Sequence, residues 1–149
     1  MIDFSRWIKY VAKDTEDDNH LRHIFYRLTD FDIKDAQQKL NYRIPRELEI
    51  FYKQIGYGFL CCDDNEFIDR IMDPESIVQL LNKKATDEYL LMDYKKMLPF
   101  FEIGDGSYIT INIKTSEIFY FDQIIASSLS DFLDKMDEKA NYYIRSNDM

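Results

Sequence analysis

Residues 98–122 read LPFFEIGDGSYITINIKTSEIFYFD, and this stretch decides the fold class. It divides into three short runs, Leu98 to Ile103, Tyr108 to Ile113 and Glu117 to Asp122, separated by Gly104-Asp105-Gly106-Ser107 and Lys114-Thr115-Ser116. Runs rich in β-branched and aromatic residues, bounded by Gly, Asp and Ser, read as strands joined by hairpin turns. In the middle run Ile109, Ile111 and Ile113 alternate with Tyr108, Thr110 and Asn112, so the isoleucines share one face, the core face. With the second turn centred on Thr115 and Ser116, Ile113 is expected opposite Ile118 and Ile111 opposite Tyr120. The product is an antiparallel meander.

Helical patterns surround it. Downstream, Ser128 and Asp131 form an S-x-x-D cap, followed by Leu129, Phe132, Leu133, Met136, Ala140, Tyr143 and Ile144 on one helical stripe. Upstream, Asp73-Pro74 is an N-cap with Pro at the first helical position, opening a helix that uses Ile77, Val78, Leu80 and Leu81. Thr86 is placed to cap a short helix through Lys96. Pro45 to Ile55 carries Leu48, Phe51, Tyr52 and Ile55 at helical spacing and stops at Gly56. Asp32 is expected to cap a helix through Leu40. The apolar spacings in Asp3 to Lys13 and His20 to Leu28 predict two further helices, while Phe59 to Cys62 and Phe67 to Met72 read as strands. The class is α+β: one domain with an antiparallel or mixed sheet, a C-terminal meander and several flanking helices.

Composition narrows the function. The 149 residues carry 19 Lys and Arg against 28 Asp and Glu, a formal charge of −9, which disfavours direct binding of nucleic acid or anionic membrane surfaces. The apolar fraction of 46% supports a buried core at this length. No apolar leader segment stands at the N-terminus, and no run approaches the roughly 18 to 20 apolar residues of a membrane helix. The two cysteines, Cys61 and Cys62, are adjacent, a spacing that suits reduced thiols and a cytoplasmic address.

Candidate chemistry is sparse. His20 and His23, with Asp17 and Asp18 nearby, have a spacing that can hold a metal, yet a third or fourth ligand is missing from the pattern, so no metal and no cofactor are expected. Cys61 lies beside apolar Phe59 and Leu60, surroundings that raise a thiol's pKa, so a buried strand cysteine is favoured over a Cys–His nucleophile. Gly56-Tyr57-Gly58 and Gly104-Asp105-Gly106 lack the third glycine or lysine of phosphate-binding loops and read as stops and turns. The strongest local signal is acidic. Between Asp63 and Glu75, six acids (Asp63, Asp64, Glu66, Asp69, Asp73 and Glu75) face one base, Arg70, around Phe67, Ile68, Ile71 and Met72. Acids around an apolar anchor suit a basic protein partner.

The order of these pieces resembles the SUKH superfamily. Ile44-Pro45-Arg46-Glu47-Leu48-Glu49-Ile50-Phe51-Tyr52 and the glycine break after it are similar to that family's proline-started helix and loop. Leu98-Pro99-Phe100 ahead of Gly104-Asp105-Gly106, the two strands that follow, and Ile125-Ala126-Ser127-Ser128-Leu129-Ser130-Asp131-Phe132-Leu133 are similar to its strand, hairpin and closing helix. Ile55-Gly56-Tyr57-Gly58 stands where members usually have Asn-Gly, and Leu129 where Phe is frequent. The resemblance covers residues 30–137, with 1–29 as a helical N-terminal extension and 138–149 as the helix end and tail.

It implies an α+β interaction protein without catalytic residues. Many bacterial members are immunity proteins that neutralise toxins, often nucleases, and others are interaction hubs. The expected function is therefore a non-enzymatic antitoxin that occludes a cognate toxin with a basic surface. The alternatives are a regulatory module for an endogenous protein and a small Cys/His enzyme. The expected partner contacts are Asp63, Asp64, Glu66 and Asp69, with Asp105 and Tyr108 as a second patch.

Overall fold

The computed structural model describes residues 2–13, 21–40, 43–63, 67–84 and 96–144. Among these residues seven strands, β1 (Ile24–Tyr26), β2 (Tyr57–Phe59), β3 (Arg70–Ile71), β4 (Met97–Glu102), β5 (Tyr108–Asn112), β6 (Ile118–Tyr120) and β7 (Gln123–Ala126), form one sheet. Each pairs antiparallel with its neighbour in sequence, so the sheet order is the chain order. Helices α1 (Asp30–Lys39) and α2 (Arg46–Gln54) lie between β1 and β2, α3 (Pro74–Lys84) between β3 and β4, and α4 (Leu129–Glu138) after β7. This is the expected α+β architecture with its C-terminal meander.

Local chemistry explains the helix bounds. Thr29, not Asp32, caps α1: its side chain accepts from the Asp32 N–H while the Asp32 carboxylate accepts from the Thr29 N–H, a reciprocal capping box. Asp73 accepts from both the N–H and the hydroxyl of Ser76 at the start of α3. Ser128 accepts from the Asp131 N–H at the start of α4, as expected, but the helix ends at Glu138 and the chain turns through Asn141 at φ +53. The stripe continuing to Ile144 is therefore a packed turn, with Tyr143 buried.

Other expectations need correction. His20 to Leu28 contains a strand where the spacing predicts a helix, because a short apolar run fits either period and pairing with β2 decides it. Asp3 to Lys13 holds only a 3-10 helix over Ser5–Tyr10, after which Val11 bridges in parallel to Phe25. β2 begins at Tyr57, two residues earlier than read, and β3 is reduced to Arg70–Ile71. In the meander the register is Ile111 opposite Ile118 and Ile109 opposite Tyr120. It differs by two residues from the expected pairing. A two-residue slip preserves side-chain parity, so the buried face is unchanged. β7 was not anticipated; it returns along β6 after a two-residue turn. The helix expected from Thr86 to Lys96 falls almost wholly outside the described residues.

The core lies under α4 and α2. Phe132 of α4 meets Phe101 and Phe100 at ring distances of 5.2 and 5.9 Å, and Phe51 of α2 meets Phe4 and Phe25 at 5.1 and 5.6 Å. A buried carboxylate joins the two helices: Glu47 of α2 accepts from the Leu129 N–H at the first turn of α4, where the helix terminus presents unpaired donors.

Alternation fixes where the loops lie. In an antiparallel meander every second connection is on the same end, so residues 60–63 and 67–69, 103–107 and 121–122, together with the entry to β1 at 21–23, share one end of the sheet. Asp137, near the end of α4, reaches that same end through Arg22 and His23.

Candidate partner-binding surface

The loop end is braced from beneath by a polar cluster. Arg22 donates from Nη1 to both carboxylate oxygens of Asp63 at 2.7 and 2.8 Å, from Nε to Asp137 Oδ1 at 3.1 Å, and from Nη2 to the Asp137 carbonyl at 2.7 Å. Hydrogen bonding to Asp63 raises the guanidinium pKa further still. Beside it His23 is fully buried, with Nδ1 accepting from the Cys61 N–H at 3.0 Å and Nε2 facing Asp137 Oδ1 at 2.7 Å. That pattern requires a neutral ring with its proton on Nε2. Both ring nitrogens are thus committed. The Cys61 thiol points elsewhere, to the Met136 carbonyl at 3.2 Å, and burial pushes it up to about 12. The pairing of His23 with Cys61 is made through the backbone and leaves the thiol unactivated. Cys61 also lies beyond the end of β2, at φ +56, not within the strand as read. His20, Asp17 and Asp18 lie outside the described residues. Among the described residues no group of three or more His, Cys, Asp or Glu is placed to hold a metal ion.

His23 makes stability depend on pH. Burial lowers its pKa from the ordinary value of 6.5, and the pull of Asp137 in the other direction does not offset this. A histidine whose folded pKa lies below its unfolded value binds fewer protons when folded. Stability is therefore complete above about pH 6.5 and falls as pH drops from there toward the folded pKa, by at most about 1.4 kcal/mol per pH unit. For Asp137, burial pushes the carboxyl up but hydrogen bonds from His23 and Arg22 outweigh it, so its pKa is lowered. Its contribution is lost only at more acid pH, below the ordinary carboxylate range. Urea denaturation at half-unit steps from pH 7.5 to 5 checks the histidine. The slope should be present in the wild type and nearly absent in His23→Asn, which retains an acceptor for the Cys61 N–H.

The acidic positions separate by environment. Asp63 is exposed and held by Arg22. Asp64 and Glu66 lie outside the described residues. Asp69 is corrected: at 1% exposure and φ +50 it is an interior acid that accepts from Asn141 Nδ2 at 2.8 Å and ties the chain after α4 to the loop before β3. It is not available to a partner on this surface. Asp73 and Glu75 have internal duties, capping α3 and pairing with Lys39 at 3.2 Å. Arg70, the lone base of the run, pairs with Glu102 at 3.1 Å.

The second patch lies on the same end. Asp105 is exposed, and its Oδ1 accepts from the Ser107 N–H at 3.0 Å, shaping the turn. Tyr108 is half-buried across from Glu102, and burial raises its phenol pKa. The two loops touch: the Ile68 N–H donates to the Ile103 carbonyl at 2.8 Å, and the Ile68 side chain covers Gly104.

Three apolar side chains at or near this end are exposed, Ile68, Phe121 and Ile124 at 45, 68 and 53%; the sequence pointed to Ile68 among the apolar residues of the acidic run but not to Phe121 or Ile124. Each sits in a run whose pattern also fits a core strand, so exposure there is decided by the turn and the loop geometry, not by residue type. Asp122, exposed beside Phe121, was read as the last residue of a strand and is part of the turn.

Known proteins identify the family. A protein-family model described as SUKH_6, SMI1-KNR4 cell-wall, matches residues 30–133. "Immunity protein YxxD" of Bacillus subtilis (strain 168) is 32% identical over 131 residues, an alignment covering 80% of this chain and 87% of that protein. With a family model spanning most of the chain and a relative of this identity matched along most of its length, the chain belongs to the SMI1-KNR4 (SUKH) family and stands beside an immunity protein within it.

Proposed function

We propose that this chain is a cytoplasmic immunity protein that binds a cognate toxin in a stoichiometric complex and occludes its working surface. The similarity to an immunity protein carries the reading. The acids of the loop end support it. A nuclease must present positive charge to its substrate, so an acidic inhibitor exploits the same field and gains a fast association rate. Asp63 and Asp105 are the acids best placed for this, with Tyr108 at the start of β5, and Asp64 and Glu66 join them by sequence position alone. The mode is steric occlusion: the neutral, doubly bonded His23 and the buried Cys61 thiol are spent on the scaffold.

Co-expression with toxin domains encoded beside its gene tests the proposal. The expected result is rescue of growth by one of them, a 1:1 complex by light scattering, and loss of that domain's nuclease activity at one equivalent. Asp105→Lys together with Asp122→Lys should slow association by about tenfold and weaken its salt dependence. Failure to rescue any neighbouring toxin, with recovery of a stable complex with another host protein, would replace this reading with the regulatory one.

A further inference from the structure

Phe121 is a poor choice for stability on two independent counts. Its ring is 68% exposed, so it gains little from burial. Its backbone sits at φ +55, in the left-handed region that bulky side chains rarely adopt and that Gly or Asn enters at lower cost. Two unfavourable features at one position point toward use by something outside the chain. The support beneath the ring agrees with this. Phe121 meets Tyr120 at 4.7 Å, Tyr120 meets Tyr143 at 4.8 Å, and Tyr143 meets Tyr142 at 5.5 Å. The Tyr142 hydroxyl donates to the Ile125 carbonyl at 2.6 Å, fastening this aromatic ladder to β7. An exposed aromatic held on a rigid base loses little conformational freedom on binding.

Its surroundings define the occupant. Ile109 pairs with Tyr120, so the start of β5 at Tyr108 and the turn at Phe121 both lie at this end of the β5–β6 pair. Asp122 adjoins Phe121 in the turn, and Asp105 lies in the neighbouring loop on the same end. Ile124 extends the apolar area along the turn. An aromatic centre with an acidic rim is complementary to an apolar pocket rimmed by Lys and Arg. A second copy of this chain fits poorly, because a two-fold contact through this turn would set Asp105 and Asp122 against like charges on a molecule of net charge −9.

We propose that Phe121 is the anchor of the partner interface, inserting into an apolar pocket on a basic protein while Asp105 and Asp122 meet the cations at its rim. The inference rests on the neutralisation reading above and names the residue through which that binding would act.

The test uses the purified full chain, the catalytically inactivated toxin domain that it rescues, and titration calorimetry. Phe121→Gly and Phe121→Asn relieve the backbone and should fold with an unchanged or higher Tm, yet weaken binding at least 30-fold. Gln123→Ala, a neighbouring exposed change, should bind as the wild type does. Wild-type binding that both Phe121 variants retain within threefold overturns the anchor and leaves the neutralisation reading standing. Absence of wild-type binding to any such toxin domain overturns both. A wild type that sediments as a dimer, with Phe121→Gly a monomer, would assign the turn to a second copy and overturn the basic partner.

Discussion

Gly58→Ala is expected to lose the native fold. At Gly58 φ is +153, and a Cβ would fall on the Ile24 carbonyl oxygen of the neighbouring strand, with the Phe25 Cα at 2.8 Å. Both obstacles are backbone, so no rotamer change relieves them. β1 and β2 would have to separate, and with them Phe25, which is fully buried against Phe51 and Trp7. We expect a cost above about 4 kcal/mol, which a domain of ordinary stability does not survive at 37 °C. Gly106→Ala is the control: φ is +95 but nothing lies within 4 Å of the added carbon. Only the backbone preference is lost there, about 1 kcal/mol. Far-UV circular dichroism and urea titration of the pair separate close approach from glycine's conformational freedom. Equal destabilisation would show that overlap with β1 is not the controlling term.

Trp7→Ala should cost about 3 to 5 kcal/mol, although the residue belongs to a short 3-10 helix near the N-terminus, Ser5–Tyr10. Trp7 is 1% exposed and lies 5.2 Å from the His23 ring and 6.4 Å from Phe25, with the Arg6 guanidinium 4.3 Å above it. Its removal opens the cover of His23 as well as the core. The variant should therefore lose pH dependence along with stability: a hydrated His23 returns toward its ordinary pKa, and the slope below pH 6.5 diminishes. Trp7→Phe keeps most of the apolar cover and should retain the slope. Urea titrations of the three proteins at pH 7.5 and 5.5 provide the comparison. Should Trp7→Ala lose stability with its slope intact, the ring does not control the hydration of His23.

The parts of the fold that were legible in the sequence are those in which a local signal carries the information. Alternation in Tyr108 to Ile113 is set by the pleat, and Ser128 and Asp73 cap through bonds three residues away, so each could be read without knowing its neighbours. His20 to Leu28 failed for the opposite reason. Whether Ile24, Phe25 and Tyr26 become a strand depends on Gly56 and Gly58, some thirty residues on, whose missing Cβ atoms let the two backbones approach. The acids expected at the partner surface divide in the same way. Asp63 and Asp105 are hydrophilic and stand in turns, and both are exposed. Asp69 carries the same side chain, but Asn141 and the chain after α4 enclose it, a contact across seventy-two residues. Phe121 was the hardest to read. Nothing in Ile-Phe-Tyr-Phe-Asp tells which aromatic leaves the sheet until the register with β7 fixes the turn.

A meander in strict sequence order also separates what can vary from what cannot. The described parts of the connections after β2, β4 and β6 lie at one end, residues 67–69 bonded to Ile103 and residues 61–62 to Arg22 and His23, while the turn 121–122 joins only β6 and β7. Such turns tolerate changes of length and residue while the register is held by the strands. The bond that locks α2 to α4 through Glu47 and Leu129 is at the opposite end. Under the proposed neutralisation, a change of toxin would be written into these connections while the apolar interior is inherited unchanged, and changes at 67–69 and 103–107 would have to be made together, because Ile68 bonds to Ile103.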